Sequence, residues 1–408
     1  MTRFDQQQIH LGAVPSDGSR IPQSPVVAGP DLAECEANSS TQETALRHRS
    51  TCASSAHTSI QRNHHLAATA RRTQHIFAYT YSRYGAPDVL KKTEIAQPQP
   101  DTGEVLIRIY ATTVSAGDWR ARSLTMPRGL GLVGRLVFGI RGPRKQVLGT
   151  EFSGVVEAVG KDVTEYAPGD AVIGYPGAGF GAHAEFIVMP ADGKLVKKPA
   201  NVGFEDAAAI PFGATTAYDF LVNKAGVQAG ERVLINGASG ATGSASVQIA
   251  KYLGAEVTAV CSAKNAELVR ALGADHVIDY TTQDFTKAGR VYDVVVDTVG
   301  TAAFARSRHA LRPGGRWVMI SGKTSDMILG KLKARLRGMQ MINGVAAESR
   351  KVLDTVVRLT AEGHYRPVID RCYDFDDMQD AHRHVDTGHK RGSVVVKVAS
   401  DRALELAS

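Results

Sequence analysis

From Arg232 onward the chain alternates valine-rich runs with helical stretches, and this alternation constrains the fold more than any other feature. "ERVLING", "AEVTAVCS", "HVIDY", "YDVVVDTVG" and "RWVMISG" read as strands, while "GSASVQIAKYLG", "NAELVRALG" and "AAFARSRHAL" between them have helical spacing. Most of these strands do not alternate apolar with polar residues. Both their faces must then be buried, as in a parallel sheet covered by helices on each side. The predicted fold class is α/β, with a doubly wound parallel sheet.

The first strand–helix junction, "LINGASGATGSASVQIAK", carries glycines at 237, 240 and 243 and no acidic side chain. A helix N-terminus offers unpaired N–H groups and partial positive charge, so it attracts phosphate. Gly237, Gly240 and Gly243 keep side chains out of the way, with Ala238, Ser239, Ala241 and Thr242 small between them. Following a strand and opening a helix, this turn is the pyrophosphate cradle of a dinucleotide fold. The next strand ends in "AVCSAKN", where an NAD-binding chain would usually place an acid. Ser262 and Lys264 stand there instead and suit a 2′-phosphate, so NADP(H) is the expected cofactor. Tyr280 ends the third strand and is expected against the adenine or the same phosphate. Val299, within Asp297–Gly300, and Ser321 follow the fourth and fifth strands at the carboxyl edge, where ligands sit in such sheets.

Before this region, "HIFAYTYSRYGAPDVLKKTEI", "GEVLIRIYATTVSAGDW", "FSGVVEAVGKDVTEYAPGDAVIGY" and "GFGAHAEFIVMP" read as hairpin-connected strands. "FEDAAAIPFGATTAYDFLVNKA" is helical with an interruption at Pro211. After a helix near Ala346–Ala361, "YRPVIDRCYDFDDMQDAHRHV" and "GSVVVKV" return to strand–helix–strand and are expected to rejoin the first domain. The expected division is a tail over 1–74, a β-rich domain over 75–203, a nucleotide domain over 204–345, and a linking helix and return over 346–408. The tail is polar, with few large apolar residues, and is expected to be disordered. Five arginines and no acid between Leu46 and Arg72 resemble a transit peptide, but that stretch starts far from Met1.

The four cysteines, at 35, 52, 261 and 372, form no Cys-x-x-Cys pair, which argues for a reducing, cytoplasmic setting and against a structural zinc lobe. No run approaches the roughly 18 apolar residues of a membrane span. Net charge is +7 but dispersed; Lys331, Lys333, Arg335 and Arg337 read as a solvated face. With two tryptophans and no RNA-binding motif, nucleic acid is not an expected partner.

These residues together resemble the medium-chain dehydrogenase/reductase superfamily, and most of all its zinc-independent quinone-oxidoreductase branch. The matching stretches include "YGAPDVL", "GTEFSGVVEAVG", "YAPGDAVIG", "AAAIPFGATTAY", "NGASGATGSASVQIAK", "GADHVIDY" and "GHKRGSVVVKV". The resemblance implies a GroES-like β-rich catalytic domain joined to a Rossmann domain, a cleft between them, and a homodimer or larger assembly. It also implies that Thr216 faces the nicotinamide. Zinc-dependent relatives place ligands where this chain has Ser115, Thr150 and Phe212, so no catalytic metal is expected. Many zinc-free relatives carry Asn in place of Ser115.

The implied activity is NADPH-dependent reduction of a small hydrophobic quinone or α,β-unsaturated carbonyl. Ser115, Thr150 or water would stabilise the oxyanion and return a proton. Asp118 is read either as a proton-handling group or as a structural cap, and Arg120 either as a contact for an anionic substrate group or as a solvated side chain. The segment Leu124–Val147 is expected either to line or cover the cleft or to make a core or dimer contact. The rival readings are a zinc-free alcohol or aldehyde dehydrogenase and a non-catalytic NADPH-binding protein.

Overall fold

Strands apolar on both faces stack into a sheet only when helices cover both sides, and the chain does this between Arg232 and Asn343. The computed structural model describes residues 74–126, 131–322 and 324–399, all within one compact unit, Arg71–Ser408. Apart from Gln74, the expected tail lies outside the described residues.

The β-rich part begins with an antiparallel pair, β1 (His75–Thr80) and β2 (Lys91–Ala96). β3 (Glu104–Val114) leads into helix α1 (Ala116–Ser123) and then α2 (Gly131–Phe138). β4 (Phe152–Val159), β5 (Ala171–Gly174), β6 (Phe186–Pro190) and β7 (Leu195–Lys197) follow. Helices α3 (Phe204–Ala208) and α4 (Pro211–Tyr218) are separated at Pro211, which takes a first-turn position of α4 where its missing N–H costs nothing.

The parallel part comprises β8 (Arg232–Asn236), α5 (Ala241–Tyr252), β9 (Glu256–Cys261), α6 (Ala266–Ala271), β10 (His276–Asp279), β11 (Tyr292–Asp297), α7 (Phe304–Ser307), β12 (Leu311–Met319), α8 (Thr324–Arg335) and β13 (Gln340–Asn343). Its six strands run in the order β10-β9-β8-β11-β12-β13, all parallel. Successive residues of β8 enter different cores. Val233 and Ile235 pack with Val247 and Ile249 of α5, whereas Leu234 packs with Val295, Phe304 and Trp317 on the other face. Burial on both faces explains why the strand sequences show no alternation.

Helix α9 (Arg350–Ala361) buries Leu353, Val356 and Val357 in the first of these cores. β14 (Ile369–Asp374), α10 (Met378–Asp386) and β15 (Ser393–Lys397) then return to the β-rich part. β15 pairs antiparallel with β3, completing a seven-stranded sheet of order β14-β15-β3-β4-β5-β7 with β6 also on β3. The expected rejoining therefore occurs. An isolated bridge links Gly240 to Gly392, so this return meets the glycine turn. The cations Lys331, Lys333, Arg335 and Arg337 on and after α8 are exposed, as expected of a solvated face.

Candidate active site

β8 delivers Asn236 to the carboxyl edge of the sheet, and Gly237 turns the chain with φ +80°. A Cβ on Gly243 would lie 2.0 Å from the Gly237 carbonyl oxygen, so α5 can pack on the turn only without one. Gly240 differs, because the nearest atom to its added Cβ, the Gly237 carbonyl oxygen, is 3.7 Å away, an ordinary contact that leaves a small side chain room beside the cleft. Gly240 caps α5 with no side chain bonded to the first turn and no acid in it. The helix thus presents amides and partial positive charge to a cleft of about 1110 Å³.

Ser239, Gly240, Ala241, Thr242, Gly243, Ser262, Lys264, Tyr280, Val299 and Ser321 all line this cleft. Ala238 does not; it is buried in the core, and its N–H donates to Val260 O. Thr216 is also buried and absent from the cleft wall, its hydroxyl donating to Phe212 O of its own helix at 2.7 Å. Lys264 is exposed in the wall and has no ion-pair partner among the described residues.

Sequence reasoning missed Asn265, beside Lys264. Its amide donates to Ser239 Oγ at 3.0 Å, while its buried Oδ1 has no partner among the described residues. A buried orphan acceptor is costly unless a ligand donor reaches it. Set in the cleft wall after β9, it fits a ribose hydroxyl, and with the open cradle at Gly240 it makes the cleft suited to a nicotinamide dinucleotide. Asp297 also shapes the cleft: its carboxylate accepts from Asn236 Nδ2 and from the N–H groups of Val299, Gly300 and Ala302, fixing the loop after β11.

Across the cleft, Ala116, Trp119 and Arg120 project from α1, with Phe212 from α4. Ser115 is the N-cap of α1. Its hydroxyl donates to Asp118 Oδ2 at 2.6 Å and accepts from the Gly117 and Asp118 N–H groups, while Asp118 accepts in return from the Ser115 N–H. This is a capping box. Thr150 Oγ1 donates to Ser115 Oγ at 3.0 Å, and the Gly149 N–H donates to Asp118 Oδ1 at 2.8 Å. The structure therefore brings Ser115, Asp118 and Thr150 together, but as a buried chain whose hydroxyl protons point toward the carboxylate. Asp118 is fully buried and lies in the first turn of α1, the place of the structural cap that was one of its two readings.

Two further groups escape a reading of the sequence. Glu151 is buried between β4 and α4; it accepts from the Thr113 hydroxyl and, at 2.5 Å, from the Phe212 N–H. Burial pushes its carboxyl up to about 7, against the lowering pull of these bonds. Lys390, in the cleft wall after α10, donates to Gly392 O at 2.5 Å, and burial brings its ammonium down to about 8. Both lie in quoted stretches, "GTEFSG" and "GHKRG"; a lone acid in an otherwise uncharged run was the available signal for Glu151, whereas Lys390, flanked by His389 and Arg391, carried none. Of the two readings of Leu124–Val147, lining the cleft is not what the structure shows: none of the segment's described residues is in the cleft wall. Phe138 packs instead against Phe180, and Leu132, Leu136 and Ile140 are exposed.

Among known proteins, residues 101–200 match the family described as alcohol dehydrogenase GroES-like domain. Residues 272–396 match the family described as zinc-binding dehydrogenase. A mitochondrial NAD(P)H oxidoreductase of Mus musculus is 31% identical over 82% of this chain and 92% of its own. The 2-methylene-furan-3-one reductase of Solanum lycopersicum is 32% identical over 78% of each chain. A solved quinone oxidoreductase from Coxiella burnetii is 29% identical and superposes with a TM-score of 0.71, covering 80% of this chain and 100% of its own.

Proposed function

The chain belongs to the medium-chain dehydrogenase/reductase superfamily, in its quinone-oxidoreductase-like branch, and from that premise we propose a zinc-independent, NADPH-dependent reductase of quinones or α,β-unsaturated carbonyls. It is an oxidoreductase with a nicotinamide cofactor, a GroES-like β-rich domain and a Rossmann domain. The observation that carries the finer reading is the shared cleft. The open glycine cradle and Lys264 line the same cavity as the apolar walls of Trp119 and Phe212.

Preference for NADPH is supported by Ser262 and Lys264 immediately after β9, where the sequence has no acid of its own; the nearby Asp279 carboxylate, from the end of β10, is held by the Ala263 N–H. The first-turn amides of α5 would hold the pyrophosphate, and Asn265 Oδ1 would accept from a ribose hydroxyl. When bound, the nicotinamide supplies a hydride to the electron-poor carbon of the substrate. Trp119 and Phe212 exclude water from that carbon. The protons of Ser115 and Thr150 are committed inward to Asp118 and Ser115, so the proton completing the reduction comes from water. The hydroxyl–carboxylate chain instead locks the start of α1, and with it Trp119, against the glycine turn at Gly149.

Zinc independence is supported by Ser115, Thr150 and Phe212 at the ligand places, since hydroxyls and a phenyl ring cannot replace thiolate and imidazole. The division at residues 75–203, 204–345 and 346–408, a homodimer and a reducing, cytoplasmic setting for the free thiols Cys261 and Cys372 belong to the same proposal. Among the described residues no helix is long and apolar enough to cross a membrane.

Consumption of NADPH with benzoquinone and with a conjugated enone tests the reading. Turnover of both, with no oxidation of simple alcohols by NADP, is the expected result. Alcohol oxidation alone would favour a dehydrogenase, and tight NADPH binding without turnover a binding protein.

A further inference from the structure

We infer that the substrate carries a carboxylate and that Arg120 binds it, an inference that rests on the reductase reading above. Arg120 stands on α1 next to Trp119, and its Nη2 donates to Ser321 Oγ at 3.2 Å across the cleft. That bond uses one of five guanidinium donors, and a hydroxyl does not neutralise charge. No carboxylate pairs with Arg120 among the described residues. The other arginines near the cleft are neutralised: Arg306 pairs with Asp284 at 2.9 Å, and Arg122 with Asp386. Burial also lowers the pKa of Arg120 from its ordinary value, the mark of a desolvated and uncompensated cation. An arginine cannot shed its proton at any working pH, so the cost persists until an anion arrives.

Position decides which anion. The sheet order places Lys264 and Tyr280 after β9 and β10, the glycine turn after β8, and Ser321 after β12, on the opposite side of the turn. A dinucleotide whose 2′-phosphate meets Lys264 and whose pyrophosphate meets the turn has its nicotinamide end toward Ser321. Arg120 is therefore at the reacting end, away from the cofactor phosphates. An enolate there carries charge only during reaction. A permanently charged, forked guanidinium is satisfied in the resting complex only by a permanent anion, and its geometry matches a carboxylate. The substrate class is a conjugated carbonyl compound with an apolar body and a separate carboxylate.

The test compares para-carboxybenzylideneacetone with its methyl ester, two enones that differ in charge remote from the reacting bond. Wild-type kcat/KM should favour the carboxylate by about tenfold or more, the effect of a charge-assisted bond. Arg120→Gln should bring the ratio to about one, and Arg120→Lys should restore part of it. A wild-type ratio near one with the ester turned over would overturn the inference and leave the reductase reading standing. So would an equal fall for both substrates in Arg120→Gln, which would assign Arg120 to the enolate, or weakened NADPH binding with the ratio intact. No NADPH consumption with either enone or with benzoquinone would end both readings. Should the variants fail to fold, the wild-type ratio still decides, together with competitive inhibition by para-ethylbenzoate against para-ethylbenzamide. Stronger inhibition by the benzoate is expected, and equal inhibition would overturn the inference.

Discussion

Replacing Glu151 with Gln should change the pH dependence of stability. Glu151 is 2% exposed, and its folded-state pKa is raised from 4.5 to about 7 by burial. A raised pKa means that the native state holds the proton more tightly than the unfolded chain. The stability this brings is complete below pH 4.5 and is lost as pH rises toward 7. A tenfold change in proton affinity corresponds to about 1.4 kcal/mol, so ionising Glu151 costs the wild type about 3 kcal/mol across that window. Glutamine cannot ionise, and its amide oxygen can still accept from the Phe212 N–H. The stability difference, Glu151→Gln minus wild type, should therefore grow by about 3 kcal/mol from pH 4.5 to 7 and then level off. Lys390 has its own window between about 8 and 10.5, in which stability rises with pH, so scans below 8 isolate Glu151. Urea unfolding at several pH values, followed by fluorescence of Trp119 and Trp317, measures the difference. A difference that stays constant, or shrinks, between pH 4.5 and 7 would refute the reasoning.

Gly243→Ala should weaken NADPH binding by at least about tenfold or destabilise the protein, because the new Cβ would lie 2.0 Å from a backbone carbonyl that cannot yield cheaply. Calorimetry and a thermal melt would show it, and wild-type values in both would exclude the packing argument. Lys264→Ala should weaken NADPH by about ten- to a hundredfold and leave NADH nearly unchanged, from the worth of a charge-assisted bond. Equal losses for both cofactors, or tighter NADH than NADPH binding in the wild type, would remove the 2′-phosphate assignment. The purified enzyme should hold no stoichiometric zinc and should keep its turnover in chelator, as elemental analysis and assay can establish; tightly bound zinc required for activity would reverse the mechanism.

Much of the nucleotide half was legible because its signals are local. Strands such as Val233–Asn236 show burial on both faces in their composition, and the glycine turn needs only seven consecutive residues. What was missed depends on segments distant in sequence. The orphan oxygen of Asn265 becomes a site feature only because its amide is held by Ser239, and Glu151 is perturbed by Thr113 and by the backbone of Phe212. The resemblance implies a substrate-facing role for Ser115, whereas "SAGD" carries the spacing of a capping box, and the structure turns the hydroxyl inward accordingly. Only apolarity argues for the segment Leu124–Val147 in the cleft, and apolarity does not say which surface a helix covers.

The contact between the glycine turn and β15 has a consequence for timing. Gly392 donates its N–H to Ser239 O at 2.8 Å, and Lys390 enters the cleft wall just before it. A ribosome adding roughly 5–20 residues per second needs on the order of ten to thirty seconds to travel from Ser239 to Gly392, and longer before Gly392 leaves the exit tunnel. Throughout that interval the cradle can exist as strand, turn and helix but lacks one of its walls. A nascent chain therefore meets the cellular pool of nicotinamide nucleotides with an incomplete pocket, and full affinity for cofactor arrives only once Gly392 has met the glycine turn and β15 has paired with β3.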